Sequence, residues 1–177
     1  MVEISKNNPE KKEKLEDNAR KFITEVLDSK FLEDNDASSF TLTVDWLETG
    51  EDTEVKVAHK KFDNGEVQIL LIVKTTKDGN RISEKEKITE EKYEQHNASA
   101  VLHLKKKRYE FEYEQNGTRF SVKYDEFADG TLNMLEVDAL SDRQRESFSP
   151  DDFPAKLKEV TGNMRYYGYR VAEIMTN

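Results

Sequence analysis

"LKKKRYEFEYEQNGTRFSVKYDEF", Leu104 to Phe127, decides how this chain folds. Its residues change in kind with a period of two. Tyr109, Phe111 and Tyr113 fall on one face of an extended chain, and Lys106, Arg108, Glu110 and Glu112 on the other. Asn116-Gly117 interrupts the run with a dipeptide suited to a two-residue hairpin turn. Beyond it Phe120, Val122 and Tyr124 alternate with Ser121, Lys123 and Asp125. The stretch predicts two antiparallel strands, each apolar on one face and charged on the other.

The same pattern runs in both directions. Upstream, Phe40, Leu42, Val44 and Trp46 alternate with Thr41, Thr43 and Asp45, and Val55 and Val57 alternate with Lys56 and Ala58. Asn64-Gly65 and Asp78-Gly79 mark turns on either side of "EVQILLIVKTT", and "RISEKEKI" is a further strand. "TEEKYEQH" reads as a short helix with Thr89 as its cap. Downstream, Asp129-Gly130 leads to "LNMLEVDAL", where Leu135, Val137 and Ala139 oppose Glu136 and Asp138. Seven strands are therefore expected from Phe40 onward, with "VEIS" near the start as an eighth. "NNPEKKEKLEDNARKFITEVLDSKFL" predicts a helix, with Asn8 as cap, Pro9 in the first turn and one apolar stripe through Leu15, Ala19, Phe22, Ile23, Val26 and Leu27. Residues 33–39 read as a loop, and Ser149-Pro150 opens a final helical stretch. The expected organisation is one α+β domain over 1–177: an N-terminal segment and helix in 1–39, strands in 40–140 and helical structure in 141–177.

Composition narrows the function. The 177 residues are 37% charged and only 35% hydrophobic, with a net charge of −9 and no cysteine. Bulk attraction to nucleic acid is disfavoured by that charge. "KKKR", 105–108, is followed directly by Glu110, Glu112 and Glu114, which would repel a phosphate backbone. Disulfides, zinc ribbons and thiol catalysis are excluded, and a cysteine-free chain suits the cytoplasm. No apolar run has the length of a membrane helix, so no membrane partner is expected. His59, His96 and His103 lack metal-ligand spacing, and there is no P-loop or dinucleotide fingerprint. Oligomeric state is not legible.

Two arrangements satisfy the alternation. One is a half-buried sheet with its charged face in water. The other is a closed or nearly closed antiparallel barrel turned inside out, its apolar face under helices and its charges lining a lumen. Lys56, Lys74, Arg81, Lys85, Lys106, Arg108 and Lys123 share the polar face, as a polyanion site would require. Asp125, Glu136 and Asp138 stand on neighbouring strands of that face and offer hard oxygen ligands of the kind magnesium or manganese takes.

The ordered set of segments resembles the CYTH domain, or triphosphate tunnel metalloenzyme family. "EVTGNMRYYGYRVA" near the C-terminus is similar to that family's ending, and "WLETGEDTEVKV", "VKTTKDGNRISEKEKI", "KKKRYEF", "VKYDEF" and "LEVDAL" resemble its strands in order, from about Trp46 to Ala172. The resemblance implies an antiparallel tunnel of eight strands. It implies binding of a small triphosphate (inorganic tripolyphosphate, thiamine or nucleoside triphosphate) with Mg2+ or Mn2+, usually for hydrolysis. Lys56, Lys74, Arg81, Lys106 and Arg108 would hold phosphates, and Asp125, Glu136, Asp138 and Glu3 would serve the metal. The family's N-terminal E-x-E-x-K signature is altered here: Glu3 matches, but Ser5 and Asn7 replace the second glutamate and the lysine. Ala58 replaces an arginine, Glu110 stands where a basic residue is common, and Ser83, Lys85 and Lys87 stand where the family shows glutamates. The phosphate-gripping cations survive better than the metal ligands. That favours an alternative, a tunnel without catalysis that binds polyphosphate or another polyanion. In either case "EVTGNMRYYGYRVA" offers a tight turn at Gly162 and tyrosines able to close one end.

Overall fold

The computed structural model of the protein describes residues 12–15, 19–127, 130, 132–138 and 141–176. Glu3, Ser5, Asn7, Asn8, Pro9 and the "VEIS" segment lie outside them. The strands are β1 (Lys12–Leu15), β2 (Arg20–Thr24), β3 (Ser38–Glu48), β4 (Thr53–Phe62), β5 (Val67–Lys77), β6 (Asn80–Lys87), β7 (Leu102–Gln115), β8 (Thr118–Phe127), β9 (Asn133–Asp138) and β10 (Leu157–Glu159). The helices are α1 (Ser29–Asp34), α2 (Glu90–Asn97), α3 (Asp142–Ser147) and α4 (Gly168–Thr176). All ten strands form one antiparallel sheet in the order β1-β6-β5-β4-β3-β7-β8-β9-β2-β10. No pairing among the described residues joins β1 to β10, so the sheet is open rather than closed.

The seven strands expected from Phe40 onward are β3 to β9. Asp78-Gly79 and Asn116-Gly117 turn them with both residues at positive φ (51° and 77°, 51° and 79°), the backbone that matches the twist of a tight hairpin. Thr89 caps α2, its side chain accepting from the Lys92 amide.

The long N-terminal helix is overturned. Residues 20–24 are a strand, hydrogen-bonded to β9 on one side and β10 on the other. A five-residue strand offers too few alternations to outweigh a helical template fitted over a longer window. The burial pattern shows the error: Phe22 and Leu27 are buried, but Val26 of the supposed stripe is 68% exposed. Among the described residues of this stretch, helix forms only at Ser29–Asp34, where the Asp28 side chain accepts from the Lys30 amide. The loop expected at 33–39 shrinks accordingly, since β3 begins at Ser38. In the C-terminal segment Ser149-Pro150 opens only a three-residue 3-10 turn, Pro150–Asp152; β10 and further turns follow, and α4 begins at Gly168.

Helices α1 and α2 lie on the outer face of the sheet. Phe111, Phe120, Val122, Tyr124, Leu135 and Val137 pack with Leu32 of α1, Phe148 and Phe153. Val55, Val57, Ile69, Leu71 and Val73 pack beside Tyr93 of α2. On that same side Asp45, fully buried, meets His103 Nδ1, accepts from Asn97 Nδ2 at 3.1 Å, and so ties α2 to β3 and β7. His103 is thus bound to a structural carboxylate. Among the described residues no helix is long and apolar enough to cross a membrane.

The charged face is the inner one, against the reading that puts it in bulk water. Residues of β6 near one end of the sheet and of β2 near the other line one cavity of ≈ 410 Å³. The sheet must therefore curl strongly about it.

Candidate functional site

Strand register fixes what meets what inside the curl. Opposed residues on neighbouring strands share a face. Across β6, β5 and β4 one row reads Ser83, Lys74, Glu54, and the next reads Lys85, Ile72, Lys56. Lys60 follows Lys56 and Ala58 on the same face of β4. Across β7, β8, β9 and β2 one row reads Glu110, Lys123, Glu136, Lys21, and Arg108 stands opposite Asp125. Two walls result, a left one on β4–β6 and a right one on β7, β8, β9 and β2.

The right wall pairs its charges internally. Arg108 Nε and Nη2 donate to the two Asp125 oxygens at 2.7 and 2.8 Å, and Lys106 Nζ donates to Oδ2 at 2.7 Å. Burial alone would push the Asp125 carboxyl up, but Arg108 and Lys106 hold it well below the usual carboxylate range. Burial pushes Lys106 down to about 8 although Asp125 opposes the shift. Glu136 lies between Lys123 and Lys21 in register. Its burial is outweighed by Lys123, Lys21, Arg108 and Lys74, which hold it at about 2. Lys74 belongs to β5, so charge on the left wall also acts on Glu136. Asp138 Oδ2 lies 3.3 Å from Lys123 Nζ.

The left wall has a different balance. Its one buried acid, Glu54, accepts from Trp46 Nε1 at 2.7 Å and from Arg81 Nη2 at 3.0 Å, and lies 3.3 Å from Lys56 Nζ. Against burial, Lys56 and Lys74 keep it ionised, its pKa near 2. Burial, with Arg108 and Lys123 nearby, lowers the Lys60 pKa. Ammonium groups rest on rings here: Lys56 Nζ is 5.6 Å from the Trp46 centroid and Lys60 Nζ 5.1 Å from Phe40, partial recompense for lost water.

Apolar residues form the floor. Leu42, Val44, Trp46 and Leu104 pack with Tyr169, Val171 and Ala172 of α4. The "RYYGYRVA" ending therefore sits on the inner face. Tyr166 and Val171 line the cavity, and Gly168 comes so close to Trp46 that a Cβ would stand 3.1 Å from its ring. Gly162 takes positive φ in the turn after β10, which is the tight-turn role.

Of the residues singled out in the sequence, Lys56, Lys74, Lys106, Arg108, Asp125, Glu136 and Asp138 meet at this cavity. Arg81 shares the face but stands outside the cavity lining, donating to Glu54 and to the Glu51 carbonyl. Lys21, Lys60 and Glu54 were missed. Lys21 was hidden by the helix reading, whereas Lys60 and Glu54 were legible from the even-numbered phase of "TEVKVAHK", 53–60.

The described residues do not suit a divalent ion. No group of three or more His, Asp or Glu side chains among them converges as a metal requires. Asp125 gives both oxygens to Arg108 and Lys106, and Glu136 lies within a field of four cations. A cation placed there would displace existing partners and meet like charge.

No protein-family model matches the sequence, and no curated protein matches it. Solved structures do match in three dimensions. A crystal structure of the inorganic triphosphatase NE1496 aligns with TM-score 0.59 and 20% identity, covering 87% of this chain and 92% of that one. A second, described as the hypothetical protein NE1496, aligns with TM-score 0.60 and 20% identity, covering 87% and 95%. The chain shares the CYTH-type fold of that triphosphatase, and the resemblance read from its sequence stands at the level of the fold.

Proposed function

We propose that the protein binds a compact polyphosphate, inorganic tripolyphosphate or the triphosphate of a small organic molecule, inside the curled sheet. The observation that carries this is the charge balance. Among the described residues eight Lys or Arg side chains and three carboxylates line the cavity, in a chain of net charge −9. That leaves an excess close to the roughly five negative charges of a fully ionised tripolyphosphate. Burial makes these charges act at low effective dielectric, so a chelating anion gains more than at an exposed patch. Binding without turnover is the reading these residues favour, because the carboxylates suited to a metal are already engaged. Hydrolysis is the second reading, favoured by the likeness to the triphosphatase and by Glu136 and Asp138 standing two apart on one face of β9.

Thermal stability in low salt, titrated with tripolyphosphate, tests the binding. Stabilisation by about 2.7 kcal/mol is expected at a hundredfold excess over the dissociation constant. No shift with tripolyphosphate, ATP or thiamine triphosphate would end the proposal. Phosphate release measured with Mg2+ or Mn2+ decides between the two readings. A Glu136→Gln change that stops any release while tripolyphosphate still binds would support the second.

A further inference from the structure

We infer that the left wall, around Ser83, Lys74 and Lys85, is a phosphate subsite that works without a divalent ion. This rests on the polyphosphate reading above and names where and how the anion is held. Ser83 is 1% exposed and lines the cavity, yet its Oγ has no hydrogen-bond partner among the described residues. A buried hydroxyl left unmade is costly, and natural proteins rarely keep one without a use. Its neighbours define that use. Lys74 is directly opposite on β5, and Lys85 is two residues along the same face of β6. A hydroxyl between two ammonium groups offers a neutral donor and two charged ones to one phosphate group, the donor set that a phosphate oxygen shell accepts.

Among the described residues, this wall offers a metal bridge no unengaged carboxylate. A divalent ion bridges phosphate to protein through carboxylates. On β6 the cavity-lining positions are Ser83 and Lys85, and the nearest acid in register, Glu54, is engaged by Trp46 and Arg81. The ammonium groups thus take the neutralising role themselves. Magnesium in solution then competes for the free anion and weakens the complex.

Calorimetric titration with tripolyphosphate tests this, in buffer stripped of divalent ions by a chelating resin and again with added Mg2+. Binding is expected in the stripped buffer, at least as tight as with Mg2+. Ser83→Ala should weaken it about tenfold without lowering the melting temperature of the free protein, since no internal bond is lost. Lys85→Glu should weaken it about a hundredfold or more by reversing one charge at the subsite. Binding that needs Mg2+ would overturn the metal-free inference and leave the polyphosphate reading standing. Loss of binding in both buffers would overturn that reading itself. Unchanged affinity in Ser83→Ala would assign the hydroxyl to a bound water and overturn the subsite. A lower melting temperature in that variant would show that the hydroxyl serves the fold instead.

Discussion

The two walls of the cavity are built from similar residues and reach opposite solutions. On β7–β9 and β2 every acid that lines the cavity has cations beside it: Asp125 between Lys106 and Arg108, Glu136 between Lys123 and Lys21, Asp138 beside Lys123. On β4–β6 the cavity-lining charges are Lys56, Lys60, Lys74 and Lys85, and the buried Glu54 stands outside the lining, 3.3 Å from Lys56 Nζ. The first wall is close to neutral and holds itself together. The second turns four ammonium groups and no carboxylate toward the cavity, so the charge it presents there is positive. Counting cations on a face does not find a binding site; what counts is cations minus the acids that already hold them.

The largest effect should come from breaking the self-paired wall. Asp125→Ala would leave Lys106 and Arg108 buried without their carboxylate. We expect a loss of about 3–5 kcal/mol in urea unfolding, the usual cost of stranding a buried charge. A loss under about 1 kcal/mol would show the two walls to be equally open to water, and the contrast between them would fail.

The excess wall should respond in the opposite sense. Lys60→Met keeps the stem over Phe40 and removes an ammonium group whose pKa is lowered by burial and by Arg108 and Lys123. The free protein should become more stable by roughly 0.5–1 kcal/mol, while tripolyphosphate affinity falls about tenfold. Stability and affinity falling together would place Lys60 in the structural network of the first wall.

The comparison also explains what the sequence disclosed. Alternation between NG and DG turns was enough to place β3 to β9 and to sort Lys106, Arg108, Lys123 and Asp125 onto one face. It could not say that Asp125 would spend itself on Arg108, because a face is a one-strand property and a salt bridge depends on register between two. Nor could it see β2. "RKFIT", 20–24, becomes a strand only because β9 and β10 offer it hydrogen-bonding edges far away in sequence. With β2 went Lys21, and with Lys21 the reason why Glu136 is neutralised rather than free for a metal.

Acidity should probe the self-paired wall more gently. Glu136 has its pKa depressed to about 2 from an ordinary value of 4.5. Its stabilising contribution is complete above about 4.5 and is lost as pH falls through about 2. At the alkaline end Lys106 is lowered to about 8 from 10.5. The unfolded chain then binds more protons between those values, so this group's term raises stability as pH rises from about 8 to 10.5. Melting temperature should therefore drop on the acid side and gain on the alkaline side from these two groups. Tripolyphosphate affinity should decline as pH rises through about 8, where the cavity loses one charge. An affinity that is flat from pH 7 to 9 would remove Lys106 from the binding charge.

The smallest effect is the control that gives the others meaning. Lys105 and Lys107 belong to the same "KKKR" run as Lys106 and Arg108, but alternation turns them to the outer face, where both are exposed. Lys107 Nζ lies over the Tyr109 ring at 5.3 Å, a contact of modest worth at an exposed site. Lys107→Ala should change stability by no more than about 0.5 kcal/mol. At low salt it should weaken tripolyphosphate binding less than twofold, because water and ions screen a charge on the far side of the sheet. Lys106→Ala, one residue away, should weaken it several-fold more. If the two changes cost the same affinity at physiological salt, the anion is attracted by the basic run as a whole and not by the inner face. The two walls would then act as one simple basic patch.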